Sequence, residues 1–269
     1  MAIITFLGGG NMASAIISGL IEDGTSPETI SVVDPDPATR RALQDGFGVG
    51  VSDDAIAACE VGDVIVLAVK PQVIVTVAEA LAGVDLTQKL LLSIAAGVTV
   101  QDLESLFGTV AIARTMPNIP ATLRLGATGI VFNDRTTEEQ RSQARRIVEA
   151  FGICIELPRE EMLDAVTAVS GSGPAYYFLF IEEMIRAAIS LGLAAEDARK
   201  LTLQTALGSI SMATRGNIPV EELRRRVTSS GGTTHSAIMS LQSDNFGDVL
   251  MRAMVACRNR ALELGQGGQ

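Results

Sequence analysis

The sequence predicts a doubly wound α/β domain with a mostly parallel sheet, followed by an all-α domain. Three observations lead there. Short apolar runs of strand length alternate with helical segments as far as Leu157. A glycine-rich turn follows the first of those runs. Beyond Pro158 the strand runs stop, and helical periodicity dominates to the end. At 269 residues the chain is long enough for two modest domains. The expected division is 1–158 and 159–269.

Ile3 to Leu7 is a short apolar run, the pattern of a buried parallel strand. Gly8-Gly9-Gly10-Asn11-Met12-Ala13 comes next, then a helical pattern through Ile16, Ile17 and Leu20. This is G-x-G-x-x-A in the strand, turn and helix context that a Rossmann dinucleotide site requires. Gly8 permits the turn, Gly10 lets a pyrophosphate approach the backbone, and Ala13 keeps helix and strand close. A second strand, Ile30 to Val33, ends at Asp34. That is about 20 residues beyond the turn, where the ribose-binding acid belongs. Asp34 suits a ribose 2′-hydroxyl and repels a 2′-phosphate, while Arg40 and Arg41 would offset that charge. Both arginines read as a solvated helix face.

Val64 to Val69 is the next strand, running into Ala68-Val69-Lys70-Pro71. Pro71 suits the first turn of a helix. Lys70 therefore sits at the carboxyl end of a strand, where ligands gather in such sheets, although an exposed loop lysine would look the same. Leu90 to Ile94 and Val110 to Ala113 are further strands. The second leads into Arg114-Thr115-Met116-Pro117-Asn118-Ile119-Pro120, a loop stiffened by two prolines. Asn118 there suits either a ribose or nicotinamide contact or an Asx-turn. Ile130 to Phe132, a helix from Glu138 to Ala150 and a strand from Ile153 to Leu157 complete the sheet.

The second domain opens with a helix from Glu161 to Ser170, which Gly171-Ser172-Gly173-Pro174 breaks. Pro174 opens a longer helix to Leu191. Further helices are expected from Ala194 to about Thr214, Pro219 to Arg226, Thr233 to Ser243 and Phe246 to Leu264, with a loose tail from Gly265 to Gln269. The helices from Ala165 to Ala213 carry apolar residues on more than one face, as Tyr176, Phe178, Leu179, Phe180 and Ile181 illustrate. Helices apolar nearly all round must be enclosed, and so small a domain cannot enclose them alone. A homodimer joined through these helices is expected.

Val227-Thr228-Ser229-Ser230-Gly231-Gly232-Thr233-Thr234-His235 places two glycines among hydroxyl residues at the start of a helix. Thr233 or Ser229 is positioned to cap it. Free N–H groups and the positive end of the helix dipole make such a turn a receptor for a small anion. His235, the only histidine, follows Thr234 on the helix and points elsewhere, since helix neighbours do not share a face.

Composition narrows the function classes. The 21 basic and 31 acidic residues leave a net charge of −10, which repels nucleic acid and anionic membranes. Cys59, Cys154 and Cys257 are far apart and odd in number, so a disulfide framework and a zinc site are not expected. This usage fits a reducing, cytoplasmic setting. The uncharged stretch Ala165 to Ile181 is broken by Gly171, Gly173 and Pro174 and does not read as a membrane span. The N-terminal run reads as a strand and not as a signal peptide.

Taken together, the chain resembles the pyrroline-5-carboxylate reductases over essentially its whole length. The resemblance lies in Phe6-Leu7-Gly8-Gly9-Gly10-Asn11-Met12, Ala68-Val69-Lys70-Pro71-Gln72, Met116-Pro117-Asn118-Ile119-Pro120, Val169-Ser170-Gly171-Ser172-Gly173-Pro174-Ala175-Tyr176, Gln204-Thr205 and Val227 to Thr234. One departure is Ser230, at a position usually held by proline. The resemblance implies a Rossmann domain and a helical dimerisation domain, with dimers that often assemble into decamers. It implies reduction of a cyclic imine by NADPH or NADH, without a metal. By motif position, Gly8, Gly10, Asn11, Met12, Asp34, Ala68, Lys70 and Asn118 would face the cofactor. Ser229, Gly231, Gly232, Thr233 and Thr234 would face the substrate, with Thr234 on the ring nitrogen as the catalytic residue. The nearest rival, a β-hydroxyacid dehydrogenase, needs a base for the alcohol proton. The helix from Pro174 to Leu191, its usual source, has no lysine. A non-enzymatic dinucleotide sensor would need no hydroxyl-rich anion turn.

Overall fold

The structure is a computed structural model that describes residues 2–266. Among the described residues, 2–172 with 257–266 form one compact unit, and Gly173–Ala256 form another.

The first unit is built on β1 (Ile4–Leu7), β2 (Ile30–Val33), β3 (Gly50–Ser52), β4 (Val64–Leu67), β5 (Leu90–Ser93), β6 (Ala111–Met116), β7 (Gly126–Phe132) and β8 (Gly152–Glu156). They form one sheet in the order β3-β2-β1-β4-β5-β6-β7-β8. The central strands β1, β4 and β5 are mostly aliphatic runs buried on both faces, as parallel strands between helices must be. Alternation sends Ile4, Phe6, Val64, Val66, Leu90 and Leu92 into one core, with Ile16 and Ile17. It sends Leu7, Ile65, Leu67 and Leu91 into the other, with Leu103 and Ile112. The crossovers are α1 (Asn11–Glu22), α2 (Pro37–Phe47), α3 (Ala55–Val61), α4 (Ile74–Ala80), α5 (Val100–Phe107) and α6 (Glu138–Glu149). Capping boxes at Thr99 with Asp102 and at Thr137 with Gln140 start α5 and α6.

Two features of the sheet exceed what the periodicity conveyed. β3 pairs with β2, but three edge residues present no apolar run. β7 runs antiparallel to β6, because the short 3₁₀ connection Ile119–Leu123 leaves no room for a crossover helix.

The expected break near Gly171 is a π turn. After α7 (Met162–Val166), residues Thr167–Gly171 are π-helical, and Ser172 N–H reaches the Thr167 carbonyl at 2.8 Å.

The second unit contains α8 (Gly173–Ser190), α9 (Ala195–Arg215), α10 (Val220–Arg226) and α11 (Thr233–Ser243), with the first part of α12 (Phe246–Gln266). Gly265 and Gln266 are therefore helical, against the loose tail expected there, and residues 267–269 lie outside the described residues. Tyr177, Phe178 and Leu179 on α8 are more than half exposed, as are Leu201, Leu207 and Met212 on α9. Buried residues on α9 are limited to Ala198 and Thr202. These helices do not enclose their own apolar faces. No helix among the described residues is long and apolar enough to cross a membrane.

Candidate active site

The carboxyl end of β1 turns sharply at Gly8, whose φ is +101°. Gly8 N–H donates to the Val33 carbonyl at 2.8 Å, and Ala68 N–H donates to the Leu7 carbonyl at 2.8 Å. A Cβ on Gly8 would lie 2.6 Å from the Ala68 oxygen, so backbone conformation and contact both demand glycine. Gly10 is the N-cap of α1 and has no side-chain cap, and a Cβ there would meet nothing within 4 Å. Open space therefore lies in front of an uncapped helix N-terminus, the arrangement that receives a phosphate. Asn11 is exposed at this opening, and Met12 packs partly against the core. A dinucleotide pyrophosphate fits the residues present.

Gly9, the unspecified position of the fingerprint, is constrained as well. Its Cβ would lie 2.6 Å from Leu43 Cδ1 and 2.8 Å from Thr39 Cγ2, because α2 packs against the turn. Its N–H donates to Asp34 Oδ2 at 2.8 Å, and Asp36 N–H donates to Asp34 Oδ1 at 2.9 Å. Arg40 is not a solvated face residue. Its Nη1 donates to the Asp34 and Pro35 carbonyls at 2.6 and 3.2 Å, and its Nη2 to Asp53 Oδ2 at 3.2 Å. Neither role was visible in the motif, because both depend on contacts between β2, α2 and the β3–α3 turn. Arg41 is exposed.

Ala68 and Lys70 follow β4, so both lie at the same carboxyl edge as Gly8 and Asp34. Ala68 is half-buried and Lys70 exposed. Asn118 follows β6 and is buried. Its Nδ2 donates to the Ser170 carbonyl at 3.0 Å, and its Oδ1 accepts from Ala127 N–H at 2.9 Å. This side chain therefore clamps the loop after β6 to β7 and to the π turn.

In the second unit, Gly231 has a φ of +71° and Gly232 is the N-cap of α11. Gly232 N–H donates to the Ser229 carbonyl at 3.0 Å. No side chain caps α11, so the expected cap by Thr233 or Ser229 does not form and the helix start is open. The reason is local: the tight turn folds the Ser229 hydroxyl against Gly232, where a Cβ would lie 2.6 Å from its Oγ. Ser229, Gly231, Thr233, Thr234 and His235 are all exposed. Thr228 Oγ1 donates to the Arg224 carbonyl at 2.6 Å and ties the loop to α10.

A mostly parallel sheet with this glycine turn, an acid closing β2 and a helical second unit defines a two-unit, dinucleotide-dependent oxidoreductase. Residues 160–264 match the family model described as "Pyrroline-5-carboxylate reductase dimerisation", and residues 3–97 match "NADP oxidoreductase coenzyme F420-dependent". The pyrroline-5-carboxylate reductase of Pseudomonas aeruginosa is 42% identical over 264 residues, covering 98% of this chain and 97% of its own. The structure of a pyrroline-5-carboxylate reductase from Coxiella burnetii superposes with a TM-score of 0.94 at 41% identity, covering 98% of both chains. The Plasmodium falciparum pyrroline carboxylate reductase, crystallised with NADP bound, gives a TM-score of 0.83 at 29% identity, again covering 98% of each. The chain belongs to the pyrroline-5-carboxylate reductase family.

Proposed function

We propose that the chain reduces the C=N bond of 1-pyrroline-5-carboxylate to give L-proline, the last step of proline biosynthesis, with NADPH or NADH. A bound dihydronicotinamide supplies the hydride that the imine carbon accepts. Gly8, Gly10, Asn11 and Met12 receive the pyrophosphate at the start of α1, and Asp34 takes the ribose hydroxyls. Ala68, Lys70 and Asn118 line the cofactor side at the carboxyl edge of the sheet. The observation that carries the reading is the open, glycine-built start of α11, in a chain of this family.

Ser229, Gly231, Gly232, Thr233 and Thr234 hold the substrate carboxylate, with backbone N–H groups as donors. Thr234 hydrogen-bonds the ring nitrogen and orients it, since a threonine hydroxyl is too weak an acid to protonate it unaided. A protonated imine is already a good hydride acceptor, so holding the reacting atoms in line supplies most of the acceleration. The uncovered faces of α8 and α9 meet those of a second copy, giving a homodimer that assembles further, up to a decamer. The protein works in the cytoplasm, on a small-molecule substrate and without nucleic acid or membrane.

The test is absorbance loss of each reduced cofactor with 1-pyrroline-5-carboxylate and with its six-membered analogue. Loss that depends on the five-membered imine is expected. Its absence with both cofactors would overturn the reading.

A further inference from the structure

The corner between β2 and α2 holds three carboxylates, Asp34, Asp36 and Asp53, and one guanidinium, Arg40. The Asp34 carboxylate accepts the Gly9 and Asp36 N–H groups at 2.8 and 2.9 Å. Asp36 is the N-cap of α2 and accepts from the Ala38 and Thr39 amides, both at 3.1 Å, and from the Thr39 hydroxyl at 2.7 Å. The Thr39 hydroxyl, followed by the Ala38 and Thr39 amides, holds the Asp36 carboxyl below the usual carboxylate range. The start of α2 is therefore filled by an anion of the chain itself. Arg40 is committed to the Asp34 and Pro35 carbonyls and to Asp53, and its side chain is only 19% exposed.

We infer that this corner selects NADH, whose adenosine ribose carries a free 2′-hydroxyl, and discriminates against the 2′-phosphate of NADPH. The inference rests on reading the β1–α1 turn as the dinucleotide site. A carboxylate offers about four acceptor positions, so Asp34 keeps both amide donors and still accepts a ribose hydroxyl. A phosphate in the same place meets the carboxylates of Asp34 and Asp36 at close range. The two groups that would receive it, an open helix N-terminus and an uncommitted guanidinium, are taken by Asp36 and Asp53. Arg41 does not replace Arg40, because adjacent helix residues face different ways.

Calorimetric titration of the whole protein with NADH and with NADPH, imine absent, tests this apart from turnover. NADH is expected to bind at least about tenfold more tightly, the effect of one like-charge contact at the protein surface. Asp34→Ser should narrow that ratio by about tenfold. Asp53→Ala, which leaves Asp34 untouched, frees the Arg40 Nη2 while Nη1 stays on the Asp34 and Pro35 carbonyls, and should tighten NADPH and leave NADH unchanged. Equal or tighter binding of NADPH by the unaltered protein overturns the inference, as does a ratio that neither variant moves. Absence of binding by both cofactors overturns the dinucleotide reading itself, and the inference falls with it.

Discussion

Asn118 donates its side-chain amide to the Ser170 carbonyl at 3.0 Å. In a regular helix that carbonyl would accept from the residue four positions on. That residue is Pro174, which has no N–H. The proline that opens α8 thus creates an orphan acceptor, and an asparagine from the far end of β6 satisfies it. The same side chain accepts from Ala127 N–H, so one buried amide closes two backbone accounts.

Asn118→Ala should therefore cost about 2–3 kcal/mol of stability, since two buried backbone groups lose their partners. Urea denaturation measures it. A loss no larger than that of an exposed asparagine would show that water fills the gap.

Gly9→Ala should destabilise the chain by about 1–3 kcal/mol, although the fingerprint leaves this position free. The new methyl meets Leu43 and Thr39 and displaces the donor to Asp34. Cofactor affinity should fall with it. Adding Leu43→Ala should recover part of both losses, and no recovery would argue against the clash with α2.

Gly232→Ala should weaken substrate binding and leave cofactor affinity unchanged, because the new Cβ meets Ser229 Oγ at 2.6 Å. The expected rise in KM is roughly tenfold, the loss of one good hydrogen bond to a charged group. Ser229→Ala in the same chain removes that clash and should restore part of the affinity, provided the turn, and not the Ser229 hydroxyl, does most of the binding.

Thr234→Ala should lower kcat roughly 10–100-fold, the cost of a misplaced reacting atom, with little change in NAD(P)H binding. Steady-state kinetics beside cofactor titration separates the two. Equal losses in both would remove Thr234 from the ring nitrogen.

Burial pushes the thiols of Cys59 and Cys154 up to about 11. Between the ordinary thiol value and about 11 the folded chain keeps protons that the unfolded chain has released. Stability from these groups is fully present below that window and is lost as pH rises through it. Denaturant titrations at neutral pH and inside the window should show the decline. The Cys59→Ala, Cys154→Ala double variant should decline less, and an identical slope would refute the assignment.

Much of the architecture was legible. The runs at β1, β4 and β5 are apolar at every buried position except Thr5 and Ser93, and only a strand enclosed on both faces asks for that. Gly8 was legible because a left-handed turn under a neighbouring backbone admits no side chain. β3 was not, since three edge residues carry too little pattern. Arg40 looks like a solvated side chain in the sequence but is held in place, because its partners come from the end of β2 and from Asp53 in the next turn. The cap expected from Thr233 or Ser229 failed because a glycine turn, tighter than the residue types suggest, leaves the start of α11 open.

By itself the sequence determined the alternation of strand and helix, the glycine turn after β1, the acid after β2 and the hydroxyl-rich turn before α11. These are local demands of backbone conformation and hydrophobic period, written in consecutive residues. Only the tertiary structure decided that Asn118 serves Ser170, that Asp53 holds Arg40 and that β7 runs against β6. Each of those joins groups far apart in the chain, and which donor meets which acceptor is settled by packing.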